Sequence, residues 1–406
     1  MQDRQLTVMQ LIRNLDIGGA QEVVRTLVAY LAEAGCAPVV CSFKDGPLRP
    51  EIERLGIPVV ILPDRRYSVV ALRRFVSEML RIRRTLADLA QTYQVDVVQT
   101  HLLQVLDFLV LTLRRGDLRV FWTIHNYNFM LRADQLQRHR WLLGPKRFGY
   151  RLLYRLAARW VDGFIAVSDE VRTALLEQIG AIDDKIAVIC NGVDIRRYGG
   201  GGDRAGLRRR LGLPEDAHLM ALVGTLKPQK GHRVAIEAAR TVAPRFPRLH
   251  LLFVGDGAER AALESLAASS GVGEHIHFLG SRGDVPELLA SCDSFVLPSL
   301  WEGLPMALIE AMASGLPVVA SEVSGTKQVM LPGETGLLVP PGDATALAAA
   351  MTALLADPVA AVAMGAAGRR RVETAFSAQR QAEDHLALYR WALHGGRGAL
   401  HLGARP

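Results

Sequence analysis

The sequence predicts an α/β protein of two doubly wound domains, each a parallel sheet with helices on both faces. Short, continuously apolar runs alternate with helical stretches along the chain, a pattern typical of parallel strands buried on both faces. At 406 residues the chain is too long for one ordinary core. Four consecutive glycines, residues 199–202, interrupt the alternation near the middle. They are the predicted boundary between the two sheets.

We expect the first domain at residues 1–200 and the second at 205–375. In doubly wound sheets the ligand lies in a crevice at the carboxyl ends of the strands, which directs the search for a site to the segments that follow each strand. Strands are predicted at residues 8–12, 38–42, 59–62, 95–99, 120–124, 164–167, 186–189, 219–223, 250–254, 275–278, 294–297, 317–320 and 337–339.

Composition excludes several classes of protein. A hydrophobic fraction of 50% rules out a disordered chain. The N-terminus shows neither a basic start nor a cleavage site, and the longest apolar run, residues 102–113, contains Gln104 and Asp107 and is shorter than the roughly 20 residues of a bilayer span. The four cysteines lack C-x-x-C or zinc spacing, which indicates reduced core thiols. We therefore expect a cytoplasmic protein, soluble or peripheral to a membrane.

The net charge of +7 is unevenly placed. Residues 65–90 carry seven arginines, and residues 132–159 carry eight basic residues against one acidic residue. Apolar residues recur at helical spacing in the first segment, which predicts a basic amphipathic helix. Such a helix either lies on anionic lipid or turns its apolar stripe to the core, and the sequence leaves both open. Nucleic acid is disfavoured, because no recognised binding motif accompanies the charge.

The most informative segment, residues 301–320, holds Glu302 and Glu310 with seven residues between them. Pro305 suits the first position of a helix, residues 306–314 are good helix formers, and Gly315 suits the left-handed cap. Glu302 then precedes the helix N-terminus, and Glu310 lies roughly 7 Å along its axis. Free N–H groups and the helix dipole between the carboxylates favour a phosphate. The alternative is a surface helix with two solvated glutamates.

This segment resembles the E-x7-E signature of retaining, nucleotide-sugar-dependent glycosyltransferases of family 4, also called glycosyl transferases group 1. The resemblance implies the GT-B fold, in which two Rossmann-like domains face a central cleft and a C-terminal helix, here residues 378–395, packs back on the first domain. It also implies that Glu310 binds the ribose and that Glu302 holds the donor sugar and stabilises positive charge at its anomeric carbon. The adjacent residues that would face the donor are Gly303, Leu304, Pro305 and Met306.

Two segments of the first domain match the family. Gly18 and Gly19 follow the first strand, at a turn where the backbone can approach a ligand. His125 follows the fifth strand in a Thr-x-His segment, and the resemblance gives it contact with the donor sugar and a catalytic role. A structural hydrogen-bonding histidine is the alternative. His101 is a weaker candidate for lining the acceptor cleft.

In the second domain, Lys230 matches a family lysine that holds the donor diphosphate, but Thr225 replaces the usual arginine. A hydroxyl cannot supply a bidentate, charged clamp, and Lys227 is the candidate to replace that charge. Other departures are Leu304-Pro305, where many members have Phe-Gly, and Gln328, where many have Glu. The loops that approach the nucleotide base in the family are matched at Gly255, Arg282 and Val285.

The motifs together predict a retaining glycosyltransferase that moves a sugar from a nucleoside-diphosphate sugar to an acceptor hydroxyl. The glycine and tryptophan segments look like those of enzymes that build bacterial surface polysaccharides or glycolipids on lipid-linked intermediates, at the inner face of the plasma membrane. No cofactor and no metal are expected, since no Asp-x-Asp cluster or histidine pair in the sequence suggests a metal site.

Other functions remain open. The nearest alternative is a sugar-nucleotide epimerase or hydrolase of the same architecture. An oxidoreductase is disfavoured because Gly18-Gly19 is not a full G-x-G-x-x-G motif. A non-catalytic lectin-like or membrane-recruitment protein would use the basic helices. The donor sugar, base and linkage are left undetermined.

Overall fold

The computed structural model describes residues 4–63, 72–101, 105–114, 116–125, 143–179 and 183–396. The chain divides into two compact units, the first formed by residues 1–192 with 378–406 and the second by residues 193–377. Each unit contains one parallel sheet flanked by helices. The predicted α/β class with two Rossmann-like domains is confirmed.

The first sheet has the strand order β3-β2-β1-β4-β5-β6-β7. Its winding reverses at β1, which pairs with β2 on one side and β4 on the other, so the ends of β1 and β4 form the switch point. The strands are β1 (Thr7–Ile12), β2 (Ala37–Ser42), β3 (Val59–Ile61), β4 (Val97–His101), β5 (Arg119–Ile124), β6 (Gly163–Ala166) and β7 (Ile186–Val188). The helices between them are α1 (Gly19–Glu33), α2 (Arg49–Arg54), α3 (Leu72–Thr92), α4 (Val105–Leu111), α5 (Leu143–Ala157) and α6 (Asp169–Ile179).

The second sheet has the order β10-β9-β8-β11-β12-β13, with its switch point between β8 and β11. Its strands are β8 (His218–Val223), β9 (Leu249–Val254), β10 (Ile276–Gly280), β11 (Ser294–Leu297), β12 (Val318–Ser321) and β13 (Leu337–Val339). Its helices are α7 (Arg204–Arg210), α8 (His232–Val242), α9 (Arg260–Ser269), α10 (Val285–Ser291), α11 (Met306–Ala313), α12 (Ser324–Val329), α13 (Ala344–Ala356) and α14 (Pro358–Ala375).

Strand β4 lies two residues later than predicted. Gln94 has φ 50°, and the N–H of Val95 donates to the carbonyl of Ala90 at 2.8 Å. Residues 94 and 95 therefore close the end of α3. This shift makes His101 the last residue of the strand, so its position at the carboxyl end of the sheet is set by backbone pairing.

The last helix, α15 (Ala378–Leu393), belongs to the first unit and packs on α1 and β5. Its residues Ala382, Leu386 and Tyr389 share one apolar cluster with Val8 and Phe121. The units divide between residues 192 and 193, about six residues before the glycine-rich segment, residues 199–202, that the sequence suggested. The glycines fall in the second unit. Gly202 packs closely there, since a Cβ at this position would lie 2.4 Å from the carbonyl carbon of Ala290.

All four cysteines are buried, and none forms a disulfide. Burial raises the pKa of the Cys36 thiol to about 11 and of the Cys41 and Cys292 thiols to about 12. Such thiols stay protonated and act as small apolar residues in the core.

Helix α3 and part of α5 carry the basic segments noted in the sequence, although residues 65–71 and 132–142 lie outside the described residues. The apolar residues of α3 divide between buried and exposed positions. Its buried residues include Ile82 and Leu86, whereas Val76 is 46% exposed. In the described part of the chain, no single helix is both long and apolar enough to cross a bilayer, and α13 and α14 meet both conditions only as a pair, across a 103° bend.

Candidate functional site

Glu302 lies in the loop that joins β11 to α11, and it is only 6% exposed. Its Oε1 accepts hydrogen bonds from the Lys230 Nζ and the Ser299 Oγ, both at 2.6 Å. Its Oε2 lies 3.4 Å from the Gln229 Nε2, a weaker contact. The carboxylate is therefore held in one orientation by a charged and a neutral donor, and burial strengthens both bonds.

Gln229 positions the same loop. Its carbonyl accepts from the N–H of Leu300 at 2.8 Å, and its Nε2 donates to the carbonyl of Trp301 at 2.9 Å. Sequence reasoning missed both Gln229 and Ser299. The only available signal was their proximity in sequence to Lys230 and Glu302.

Two glycines bring backbone segments onto this loop. Gly231 has φ 68°, and a Cβ at this position would lie 1.9 Å from the carbonyl oxygen of Pro298. A Cβ at Gly325 would lie 2.5 Å from the carbonyl oxygen of Gly303. A side chain at either position would push the loop away, and therefore these glycines permit the buried placement of Glu302.

Helix α11 starts one residue later than predicted. Pro305 has ψ 97° and is the N-cap, so Met306 is the first helical residue. No side chain caps this end, and Gly315 has the expected positive φ of 75° beyond the other end. Glu310 is half-buried within the helix. The uncapped first turn thus lies between the two glutamates in sequence, as the spacing predicted.

A second ammonium group lies near the Lys230–Glu302 pair. Desolvation first, and then the charge of Lys230, lower the pKa of Lys227, while Glu302 opposes them. In the described residues the Lys227 ammonium makes neither an ion pair nor a hydrogen bond. Thr225 is exposed, and its carbonyl accepts from the Lys227 N–H at 2.8 Å. This end of β8 therefore has two cations beside one buried carboxylate.

The remaining candidates of the second unit lie on neighbouring strand ends. Gly255 has φ 140° and follows β9, and a Cβ there would meet the Gly224 carbonyl at 2.2 Å. Val285 begins α10. Arg282 pairs with Asp284 in its own loop, with its Nε 2.7 Å from the carboxylate, which raises the pKa of Arg282 and lowers that of Asp284. No hydrogen bond in the described residues joins Arg282 to Glu302.

In the first unit, the structure brings His125 and His101 together. The His125 Nε2 lies 2.9 Å from the His101 Nδ1, and the His101 Nε2 lies 2.7 Å from the Gln10 Oε1. Burial lowers the pKa of His125 to about 4 and that of His101 well below its usual value. Both rings are therefore neutral near pH 7.

Helix α15 orients the buried side-chain amide of Gln99, whose hydrogen bonds lead through Gln10 to His101 and His125. The Gln381 carbonyl can only accept, so the His385 Nδ1, at 2.8 Å, donates to it. The other nitrogen, His385 Nε2, then accepts from the Gln99 Nε2 at 3.3 Å. This orientation leaves the Gln99 Oε1 to accept from the Tyr389 hydroxyl.

The same logic assigns the tautomer of His125. The Gln99 Oε1 also accepts from the Gln10 Nε2 at 3.3 Å, so the Gln10 Oε1 faces His101 and accepts from its Nε2. The unprotonated His101 Nδ1 must then accept from the His125 Nε2. His125 consequently carries its proton on Nε2 and keeps Nδ1 as a hydrogen-bond acceptor.

Gly18 and Gly19 form the start of α1, where no side chain caps the helix. Gly18 is extended, with φ −174°, and a Cβ at Gly19 would meet nothing within 4 Å. A Cβ at Gly18 would meet only the flexible side chain of Gln21. Packing within the unit therefore gives little reason for glycine here, and the helix end remains open to a ligand.

Within the described residues, no group of three or more His, Cys, Asp or Glu side chains is arranged to hold a metal ion. His125 is the last described residue before residues 126–142.

Two family models match the chain. The model of glycosyl transferases group 1 matches residues 203–371, and that of glycosyltransferase family 4 matches residues 17–197. A Bacillus subtilis (strain 168) protein named as a glycosyltransferase, EpsD, is 29% identical over 80% of this chain and 84% of its own length. The UDP-Gal:alpha-D-GlcNAc-diphosphoundecaprenol alpha-1,3-galactosyltransferase of Escherichia coli is 28% identical over 60% of this chain and 65% of its own length.

Solved structures show the same fold. The Anabaena protein Alr3699/HepE, crystallised with UDP and glucose, matches 95% of this chain and 100% of its own with a TM-score of 0.79 at 22% identity. Sucrose-phosphate synthase from Thermosynechococcus elongatus matches 97% of this chain and 100% of its own with a TM-score of 0.78 at 24% identity. With family models matching both halves and relatives that are glycosyltransferases, the chain belongs to the group 1, family 4 glycosyltransferases of GT-B fold.

Proposed function

We propose that this protein is a retaining glycosyltransferase that transfers a sugar from a nucleoside-diphosphate sugar to an acceptor hydroxyl, without a metal ion. The observation that carries the proposal is the buried Glu302 carboxylate, held by Lys230 and Ser299 directly before the uncapped first turn of α11. This arrangement places a fixed negative charge where it can stabilise the electron-poor anomeric carbon of the donor sugar. It also places the Lys230 ammonium and the N–H groups of α11 where they can bind the departing diphosphate.

In the proposed reaction, the bond between the anomeric carbon and the diphosphate oxygen breaks, and the acceptor oxygen bonds to the same face of that carbon. Positive charge develops on the sugar, and Glu302 stabilises it. Because donors to both of its oxygens already orient the carboxylate, it does not reorganise during the reaction. The acceptor proton leaves with the diphosphate.

The negative charge of the leaving diphosphate is met by Lys227, Lys230 and the N–H groups at the start of α11. Lys230 is partly neutralised by Glu302, so Lys227 provides the excess positive charge of the cluster. These groups replace the metal ion that other transferases use. Glu310, within α11, binds the ribose hydroxyls in this proposal.

His125 accepts a hydrogen bond from a donor-sugar hydroxyl through its Nδ1. Its neutral state and its proton on Nε2 support that role, because an imidazolium would have no acceptor atom. Gly18 and Gly19 let the donor approach the backbone at the start of α1.

We further propose that the acceptor is a lipid-linked intermediate of surface polysaccharide or glycolipid synthesis, reached at the inner face of the plasma membrane. The support is the name of the Escherichia coli relative, which acts on a diphosphoundecaprenol-linked sugar. The UDP bound by the Anabaena protein makes uridine the first base to test.

The test measures thermal stabilisation by a panel of nucleoside diphosphates and their sugars, first with a chelator and then with magnesium. A shift of a few degrees for one sugar nucleotide, equal in both conditions, is expected from mass action. Product from that donor and a lipid-linked acceptor is then analysed for anomeric configuration. Inverted configuration, absolute dependence on magnesium, or donor consumption with no transfer to any acceptor would overturn the proposal, the last in favour of a hydrolase or epimerase.

A further inference from the structure

Helix α5 already has a buried face that attaches it to the first unit. Tyr154, Ala157 and Ala158 are at most 3% exposed. The Tyr154 ring packs edge-on against Phe108 and Trp122, with ring centroids 5.0 and 5.4 Å apart. The helix therefore needs no further apolar side chains to pack on the sheet.

A second apolar stripe nevertheless lies on the opposite, solvent-facing side. Leu152, Leu153 and Leu156 are 48%, 50% and 42% exposed, and Trp160, in the turn that follows the helix, is 58% exposed. Leu152, Leu156 and Trp160 recur at every fourth position, so they lie in one row, with Leu153 beside it. Exposed large apolar side chains grouped in this way are typical of an interaction surface.

An arginine stripe borders this apolar stripe. Arg151, Arg155 and Arg159 are exposed and also recur at every fourth position, one residue before each member of the apolar row. At 100° per residue, Leu152 and Leu156 lie opposite Tyr154, and the arginine row flanks them on one side, with Arg155 about 100° from Tyr154. Arg151 lies nearest the buried face and also donates to the Glu177 carbonyl at 3.2 Å. We call these seven residues, four apolar and three basic, the α5 outer face.

Helix α3 presents a similar but smaller surface on the same side of the sheet. The crossovers from β3 to β4 and from β5 to β6 proceed in the same direction along the sheet, so right-handed connections place α3 and α5 on one face. Val76 and Leu80 of α3 are 46% and 48% exposed, next to the exposed Arg81 and Arg84.

We propose that the α5 outer face docks on an anionic phospholipid surface. The leucines and the tryptophan enter the boundary between headgroups and acyl chains, while the arginine stems lie along it and their guanidinium groups bind lipid phosphates. Charge complementarity favours a membrane over a protein partner. A protein would need acidic side chains spaced to match the arginine row, whereas lipid phosphates in an anionic membrane can move to meet the arginines wherever they lie. The proposal fits a lipid-linked acceptor but does not depend on transfer chemistry.

Another exposed apolar pair provides a contrast within the same chain. Val359 and Val362, at the start of α14 in the second unit, are 82% and 70% exposed. No arginine lies between residues 358 and 368. These valines are therefore more exposed than the α5 leucines but lack the neighbouring positive charge.

The experiment measures co-sedimentation of the full-length protein with vesicles of phosphatidylcholine alone, or of phosphatidylcholine mixed equally with phosphatidylglycerol, without donor or acceptor. We expect binding to the anionic vesicles that weakens with salt. Arg155→Gln with Arg159→Gln should weaken it roughly 30-fold, and Leu153→Ser with Trp160→Ser roughly tenfold or more. The matched pairs Arg240→Gln with Arg245→Gln, and Val359→Ser with Val362→Ser, should bind like the wild type.

Equal loss of binding in test and control pairs, or binding unchanged in the test pairs, would overturn the proposal. So would dimerisation of the wild-type chain abolished by Leu153→Ser with Trp160→Ser, because a second copy would then cover this face. Thermal stabilisation of the same variants by a sugar nucleotide, measured without vesicles, should equal that of the wild type. That readout separates failure of the membrane surface from failure of the proposed transferase function.

Discussion

The two units place different kinds of polar chemistry at the ends of similar parallel sheets. In the first unit, the buried groups around His101 and His125 are neutral and hydrogen-bond in a chain that reaches α15. In the second unit, the buried Glu302 carboxylate forms a salt bridge with Lys230, and Lys227 is nearby. Sheet geometry therefore determines where a site can form, and the side chains at the strand ends determine its charge.

The difference teaches how each unit stabilises buried polarity. A neutral network is stable only if every donor meets an acceptor, and this requirement fixes tautomers and amide orientations. An ion pair, in contrast, is stable once one oppositely charged partner is in place. It can therefore accommodate a charged ligand that binds beside it and leaves again. Four substitutions test this contrast, beginning with the largest expected effect.

Replacing the charge of Glu302 should abolish most activity. Glu302→Gln keeps the size and an acceptor oxygen but removes the charge that stabilises the electron-poor sugar carbon, so we expect kcat to fall roughly 100-fold or more. Glu264→Gln, a surface substitution in α9, is the control and should retain wild-type turnover. Full activity of Glu302→Gln, in a folded protein by circular dichroism, would refute the ionic role of this site.

Lys227 tests whether the second unit compensates for Thr225. Lys227→Gln should raise the donor dissociation constant about tenfold, since one charge-assisted bond to the diphosphate is lost. Adding Thr225→Arg to that variant should restore affinity. The control is Lys327→Gln, at an exposed lysine paired with Glu322. Unchanged affinity in Lys227→Gln, measured by calorimetry, would remove Lys227 from the site.

Gln10 tests the neutral network of the first unit. Gln10→Met has a similar volume but leaves the His101 Nε2 without its acceptor, so the free energy of unfolding should fall by about 1–3 kcal/mol. Nitrogen-15 NMR of the imidazoles should show His125 protonated on Nε2 in the wild type and a mixture of tautomers in the variant. Gln379→Met, on the exposed side of α15, should change neither readout. A wild-type His125 protonated on Nδ1 would contradict the assigned network.

His232 has an effect confined to acid pH and reverses the contrast, because it is a buried histidine of the second unit whose two ring nitrogens have no hydrogen-bond partner among the described residues. Burial, and then Lys230, lower its pKa to about 4. The unfolded chain, with a histidine pKa near 6.5, binds more protons between these values, so this residue costs stability as pH falls from about 6.5 to 4.

His232→Leu should therefore reduce the acid dependence of the unfolding free energy by up to about 1.4 kcal/mol per pH unit in that window. At pH 8, where the ring is neutral in both states, the stability of wild type and variant should vary in parallel. The measurement is denaturant unfolding at a series of pH values. An identical slope in both proteins would show that the ring gains a partner that the described residues do not contain.

Sequence alone was sufficient for most of the architecture. Strand runs such as residues 120–124 and 294–297 lie within or coincide with β5 and β11, because parallel strands buried on both faces must be continuously apolar. It was also sufficient to bring Glu302 and Lys230 into one hypothesis, through motifs whose residues lie in loops between these strands. It misplaced β4 and the first residue of α11, since helix ends depend on backbone angles at Gln94 and Pro305.

Only the tertiary structure decided the orientation of the functional groups. Gln229 and Ser299 hydrogen-bond to the Glu302 carboxylate, and no local sequence pattern predicts these contacts. The tautomer of His125 is set by hydrogen bonds that run through residues of β1, β4 and the distant α15. The physical reason is that apolar periodicity is a property of neighbouring residues, whereas a hydrogen bond needs two atoms at a given distance and angle. The sequence determined which side chains lie at the strand ends, and folding determined which of them meet.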